Sequence, residues 1–472
     1  MKTKIFSLLI AALFVTPVFS ATIRGSRTGA DESSAGFFVE AYTAKGRVLF
    51  KSLKFDAKGE FSLDFPTTED LVYWVDNFPI YVKANEEIKI ILPERKSNVV
   101  VIGGNTSEQK SVSSSAAVKE RNVQLLNHRI DNLLVNKVSQ AWADFLAAKK
   151  ATTLAEIDAN YASIKKLVAV SKDADLNAIA SFYNDMRYLE SKIQYLRANP
   201  SVKIQDDFFK FLPGISLNNT AVNTIKPIGI RSLVANYYMA YKLSKGADLK
   251  NEDLVDNASL NRMQFILDRV TNERIINEEL NRSIIYHLST KGWNPTLDKI
   301  ITATIAKTTD AEGKQKLLTE RERYSKVSKH TLAPDFTIPD ATGKLVKLSD
   351  FRGKIVAIDV WATWCVPCMH SLPYFLKLRE QYLANPDIVF VTISTDNAAS
   401  KNKWLNFLKD KNMNGIDLHA GDKAASAFEK AYNITGIPRY ILIDRDGKII
   451  EDHAVQASEP EYVALLEAAL KK

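Results

Sequence analysis

Cysteine is nearly absent from this chain: there are two in 472 residues. Two thiols cannot cross-link a large exported chain into a disulfide scaffold, and they cannot supply a four-thiolate zinc site. None of the six histidines forms a His-x₃₋₅-His pair, so companion metal ligands are missing too. No metal and no other cofactor is expected. Basic runs never exceed two residues despite a formal charge of +8, which argues against a nucleic-acid partner. Beyond the first twenty residues no segment reaches 18 consecutive apolar side chains, so no spanning helix is expected. What remains is ordinary: 46% hydrophobic, 25% charged, 18 Gly and 15 Pro. That composition suits a globular protein, and the length calls for two to four domains.

The N-terminus indicates the compartment. Lys2 and Lys4 precede an apolar run from Ile5 to Val15, then Pro17 and Val18-Phe19-Ser20 before Ala21. A short basic start, a brief apolar stretch and small side chains at the −3 and −1 positions describe a secretory signal peptide cleaved near Ser20. The run is too short to span a bilayer, and no Cys stands near the cleavage point to carry a lipid. The expectation is a periplasmic protein, soluble or membrane-peripheral. The positive charge is uneven: from His330 onward 17 Lys and Arg face 18 Asp and Glu. The basic excess therefore lies in the front two-thirds, as a solvated surface.

Three stretches follow the signal. Residues 21–105 read as a small β-sandwich-like domain. Glu60-Phe61-Ser62-Leu63-Asp64-Phe65 alternates polar and apolar residues, the mark of a half-buried strand. Lys45-Gly46, Lys58-Gly59 and Pro79 are read as turns between short strands. Tyr73, Trp74 and Phe78 are assigned to core packing. Residues 106–328 read as an α-helical region opened by a Ser-rich link, Thr106 to Ser115. Ile179, Phe182, Met186, Leu189, Ile193 and Leu196 form an apolar seam closed by Pro200. Leu154, Ile157, Tyr161, Ile164 and Leu167 make a second seam, and Leu126, Ile130, Leu134, Val138 and Phe145 a looser third. A break from Pro213 to Gly229 separates these from further helices between about 231 and 325. Such seams imply helix packing, with no chemistry of their own.

Residues 329–472 change pattern. Strands Ile355–Val360 and Ile388–Ile393, helices near Pro367–Leu383, Lys401–Lys411 and Lys423–Tyr432, a hairpin through Arg445-Asp446-Gly447 and a last helix from Glu459 to Leu470 describe an α/β domain. Both cysteines fall at its first strand-to-helix junction, in Trp361-Ala362-Thr363-Trp364-Cys365-Val366-Pro367-Cys368. As a structural staple this pair closes almost no chain and contributes little. As a zinc half-site it lacks partners. Redox chemistry is what remains. A thiol in the first turn of a helix meets free N–H groups and the positive end of the dipole, which favour thiolate. Up to about 2 kcal/mol from this source brings a Cys365 thiol from near 8.5 to about 7. Cys368, one turn on and facing inward, is placed to resolve a mixed disulfide. Pro367 removes a donor between them.

Trp364-Cys365-Val366-Pro367-Cys368 after a buried strand resembles thioredoxin. Ala333-Pro334-Asp335-Phe336, Gly343-Lys344, Leu348-Ser349-Asp350-Phe351-Arg352-Gly353-Lys354 and Gly436-Ile437-Pro438 before Ile441-Leu442-Ile443-Asp444 are similar to the exported TlpA/ResA-like branch. The two front regions resemble the β-sandwich and helical extensions of Bacteroidetes-type relatives. The resemblance implies a multi-domain protein with a C-terminal thioredoxin-like α/β fold. It implies that Pro438 is a cis-proline facing the cysteines, that Ile437 offers backbone bonds to a substrate strand, and that Asp359 is the buried acid assisting Cys368. It further implies protein thiol and disulfide substrates and a membrane-embedded electron donor. One departure stands out: the branch commonly carries Glu three residues after the second Cys, and this chain has Ser371.

The expected function is a thiol–disulfide oxidoreductase working through Cys365 and Cys368, in the reducing direction by resemblance. The alternatives are a disulfide oxidase or isomerase, a peroxiredoxin-like peroxidase, and a binding protein whose front domains recruit a partner. The peroxidase needs Pro-x-x-x-Thr-x-x-Cys, and here Pro367 and Thr363 do not stand in that order before a cysteine. His370 is read as solvent-facing, and Trp404, Phe407 and Leu408 as helix packing.

Overall fold

A computed structural model describes residues 20–27, 30, 34, 36–43, 46–66, 71–75, 78–82, 87–92, 100–103, 134–148, 153–169, 173–204, 207–248 and 259–471. Residues 1–19 of the expected signal peptide, the Ser-rich link, Leu126 and Ile130 lie outside them. The chain forms two compact units. One holds residues up to Leu254 together with Thr271–Arg274, and the other holds Val255–Val270 and Ile275–Lys472. Among the described residues no helix is long and apolar enough to cross a membrane.

The first unit begins with eight strands: β1 (Ser20–Arg27), β2 (Phe37–Thr43), β3 (Gly46–Leu53), β4 (Glu60–Pro66), β5 (Leu71–Val75), β6 (Phe78–Val82), β7 (Glu87–Leu92) and β8 (Val100–Gly103). They form two four-stranded sheets, ordered β4-β1-β7-β8 and β3-β2-β5-β6. Alternation decides which face turns inward: Phe61 and Leu63 of β4 are buried while Ser62 and Asp64 are exposed. These two pack with Ile23, Phe37, Val39, Tyr73 and Val75 in one core drawn from both sheets, and Phe37 meets Phe61 edge to face at 4.7 Å. At the Lys58-Gly59 turn, Gly59 has φ +72°, and a Cβ there would lie 2.4 Å from the Ala30 carbonyl oxygen. Only glycine fits that turn. Pro79 is not a turn residue. It lies within β6, opposite Trp74, on a sheet edge where a missing N–H is tolerated. Tyr73 is core, as expected, and the Trp74 indole donates to the Thr224 carbonyl at 2.8 Å.

The described residues of this unit also form α1 (Leu134–Ala148), α2 (Leu154–Val168), α3 (Ala174–Ala198) and α4 (Pro227–Leu243). Thr153 and Glu156 form a capping box at the start of α2. In α3, Phe182, Leu189, Ile193 and Leu196 are buried, and the helix stops just before Pro200. Two short 3₁₀ turns, Leu212–Gly214 and Thr220–Thr224, lie in the expected break. Proline then begins α4 at Pro227, where its missing N–H costs nothing. Gly229 is therefore helical, not part of the break.

The second unit opens with α5 (Leu260–Arg269). A π turn (Ile275–Leu280) leads into α6 (Asn281–Lys291), followed by α7 (Pro295–Lys307) and α8 (Ala311–Ser325). A short hairpin of β9 (Thr337–Pro339) and β10 (Leu345–Lys347) precedes β11 (Ile355–Trp361), α9 (Val366–Gln381), β12 (Ile388–Ser394), α10 (Lys401–Asp410), β13 (Ile416–His419), α11 (Gly421–Ala431), β14 (Arg439–Ile443), β15 (Ile449–Ala454) and α12 (Pro460–Leu470). The main sheet runs β13-β12-β11-β14-β15. β11, β12 and β13 are parallel, and β14 and β15 are antiparallel to their neighbours. Every residue of β11 is buried, as a central strand covered on both faces must be. Val356, Ile358 and Val360 face Phe428 and Tyr432. Ile355 and Ala357 face Phe375 of α9 and Tyr462 and Leu466 of α12.

Candidate redox site

The carboxyl end of β11 delivers the chain into a short turn, Ala362-Thr363-Trp364, and then into α9. Cys365 is the N-cap of that helix, with extended φ and ψ of −84° and 99°. Its Sγ accepts the amide hydrogen of Cys368 at 3.2 Å, the bond that an oxygen-bearing cap would otherwise accept. Cys365 and Cys368 are joined in a disulfide. Both are almost fully buried, whereas Trp364 and Val366 beside them are 63% and 65% exposed. Pro367 lies in the first turn, and that turn carries no acidic residue, so the dipole end is not already neutralised.

Facing the disulfide is the loop before β14. The Ile437–Pro438 peptide bond is cis, and the Ile437 carbonyl oxygen lies 3.7 Å from Cys365 Sγ. Ile437 packs against a cluster of Trp361, Ala362, Cys365, Cys368, Leu372, Trp404, Leu408 and Met413. Six of the seven residues singled out from the sequence thus meet around one disulfide: Cys365, Cys368, Trp364, Pro367, Ile437 and Pro438.

The seventh, Asp359, lies deeper. Side chains alternate along a strand, so Asp359 shares the face of Ala357 and Trp361, the face that packs against α9 and the cysteines. It is buried, and neither carboxyl oxygen has a hydrogen-bond partner. Burial pushes its pKa well above the usual carboxylate range. Tyr440 stands opposite it on β14. The hydroxyls of Tyr440 and Tyr462 are pushed up first by burial and then by the Asp359 charge. Ser371, where the related branch carries Glu, is buried and donates to the Cys368 carbonyl at 3.3 Å. His370 is solvent-exposed.

Asp396 was not singled out by the sequence. It is fully buried just past the end of β12. Its carboxylate accepts the Thr363 amide at 2.9 Å, the Thr363 hydroxyl at 2.8 Å and the Ser394 hydroxyl at 2.7 Å. It therefore fixes the turn that presents Cys365. The signal was its place: a polar cluster, Ser394-Thr395-Asp396, directly after an apolar strand, at the strand end where α/β sites assemble. The rings of His419 of β13 and Trp404 pack at a tilt, 5.0 Å between centroids. Burial lowers its pKa, opposed by the Asp396 charge and assisted by Lys401.

A disulfide at a helix N-cap, set against a cis-proline on a five-stranded mixed sheet flanked by helices, defines a thioredoxin-like redox domain. The Redoxin family matches residues 328–470. The thiol-disulfide oxidoreductase ResA of Bacillus thuringiensis is 33% identical over 143 residues, which is 30% of this chain and 75% of that protein. ResA of Bacillus subtilis is 29% identical over 126 residues, 26% of this chain and 66% of its own length. The crystal structure of the thioredoxin domain of a Bacteroides vulgatus thiol-disulfide oxidoreductase is 25% identical, covering 30% of this chain and 98% of that one with a TM-score of 0.27. The chain belongs to the TlpA/ResA-like thiol-disulfide oxidoreductases of the thioredoxin superfamily.

Proposed function

We propose that this protein is an exported, periplasmic disulfide reductase in which Cys365 attacks and Cys368 resolves. The observation that carries the reading is Cys365 Sγ at the N-cap of α9, taking the Cys368 amide. The same N–H group and helix dipole stabilise a thiolate in the reduced form. In the first step the Cys365 thiolate forms a bond to one sulfur of a substrate disulfide and expels the other as thiolate. In the second, Cys368 attacks Cys365 Sγ, restores the intramolecular disulfide and releases the second substrate thiol. Two electrons pass from the protein to the substrate.

Asp359, whose carboxyl burial holds well above the usual range, moves the proton to and from Cys368: ionised, its carboxylate accepts the thiol proton, and protonated, it returns it. Ile437 and Pro438 hold the substrate strand by backbone bonds, with Trp364 and Pro367 bordering the sulfurs. Protein disulfides are the substrates, and a membrane-embedded donor returns electrons to the oxidised pair. Residues 1–20 serve as leader, and residues 21–105 and 106–328 as the sandwich and helical extensions ahead of the redox domain at 329–472.

The test is the reduction potential of the pair by glutathione equilibration. A value below about −220 mV agrees with a reductase, and one near −120 mV makes the protein an oxidant instead.

A further inference from the structure

Helix α6 ends at Lys291, and Gly292 leaves it with φ +75°. The carbonyls of a last turn have no helical donor, and here Ser289 finds donors from the sheet. Arg439 Nη2 reaches its oxygen at 3.3 Å, and His453 Nε2 lies 3.2 Å from it. Arg439 is the residue directly after the cis-proline. Its guanidinium, buried to 5% exposure, also donates to the Asp452 carbonyl at 3.0 Å and to the Asn433 carbonyl at 3.3 Å. Asn433 begins the loop that ends at Pro438 and has φ +54°, a conformation asparagine tolerates. Its side-chain amide donates to the Arg323 carbonyl in the last turn of α8 at 3.0 Å.

Both ends of the 433–438 loop are therefore tied to helix C-termini, one end through Arg439 to α6 and the other through Asn433 to α8. Gly292 makes the approach of α6 possible: a Cβ there would stand 2.6 Å from Asp452 Oδ2 and 2.8 Å from His453 Nδ1.

We infer that α6 and α8 brace the cis-proline loop against the Cys365–Cys368 pair, with Arg439 and Asn433 as positioning residues for the docking of protein substrates. The helices from 260 to 325 are then a working part of the redox unit, not a spacer ahead of it. The inference rests on the oxidoreductase function proposed above and adds to it a route from the helical segment to the substrate strand.

The experiment uses the full chain, prereduced, in single turnover against insulin and against the small aromatic disulfide dithionitrobenzoate, which needs no strand docking. Gly292→Ala acts from the helix side and touches nothing at the sulfurs. Arg439→Lys keeps the charge but cannot span three carbonyls. Each is expected to raise the half-saturating insulin concentration about tenfold, the scale of one lost buried hydrogen bond to a charged donor. The maximal insulin rate and the rate with dithionitrobenzoate stay within about twofold, and Tyr286→Ala, on the exposed side of α6, changes nothing. If Gly292→Ala does not fold, Arg439→Lys decides alone. Unchanged half-saturation overturns the brace, and so does an equal loss on both disulfides, which marks general damage to the site. A wild-type chain that reduces neither disulfide overturns the oxidoreductase function itself.

Discussion

Asp396 receives both the amide and the hydroxyl of Thr363, at 2.9 and 2.8 Å, across 33 residues of sequence. Two charge-assisted bonds from one buried carboxylate lock the turn two residues before Cys365. Asp396→Ala leaves these donors and the Ser394 hydroxyl buried without an acceptor. Urea unfolding is expected to show a loss of about 3 kcal/mol, against about 1.5 kcal/mol for Thr363→Val, which removes one donor and keeps the shape. Equal losses for the two variants would mean that the backbone and Ser394 bonds contribute nothing.

Asp359 acts in the opposite sense on stability. Its folded pKa is raised by burial, so the unfolded chain, with an ordinary carboxyl, releases its proton first as pH rises. Stability is full below about pH 4 and is lost progressively as pH climbs toward the folded pKa. Asp359→Ala is expected to be about 1–3 kcal/mol more stable at pH 7, the cost of an unpartnered buried polar group. The part of the gain that comes from the ionised carboxylate disappears near pH 3.5. The same variant exchanges disulfides more slowly above neutral pH, because Cys368 has lost its proton acceptor.

His419 and His453 work from the acid side. Burial holds both below the usual histidine range, with Asp396 and Asp452 opposing it. The unfolded chain takes up protons near pH 6.5 while the folded one does not, so their contribution is complete above that pH and fades as pH falls through the folded values. In an Asp359→Ala background, which removes the opposing carboxyl, urea midpoints measured from pH 7.5 to 5 should decline, and His419→Gln should flatten part of that decline. A flat profile in that background contradicts the assignment.

Trp364 separates binding from stability. It is largely exposed beside the disulfide, so Trp364→Ala should shift unfolding by less than about 0.5 kcal/mol. The same change should weaken reaction with insulin far more than reaction with a small disulfide.

What was legible in the sequence follows from the range of each interaction. The alternation in Glu60–Phe65, the seam of α3 and the apolar run of β11 are local patterns, and each forms the element expected of it. The Cys-x-x-Cys pair is local too, and so is its junction of strand and helix. Strands of three or four residues, such as β9, β10 and β13, are too short to show a period. Pro79 misled because the edge position that permits it depends on strand order, which no dipeptide records. Asp396 reaches Thr363 across 33 residues, Asn433 reaches Arg323 across 110, and Arg439 reaches Ser289 across 150. Contacts of that span leave no local mark, and for that reason the helices after residue 259 read as separate from a site they adjoin.

The central claim is the division of labour between the two sulfurs, and it is tested by trapping. Full-length Cys368→Ser, reduced and mixed with oxidised insulin, should accumulate a mixed disulfide through Cys365, visible on a non-reducing gel and released by dithiothreitol. Cys365→Ser should form none. A mixed disulfide that builds up in Cys365→Ser and not in Cys368→Ser would contradict the account.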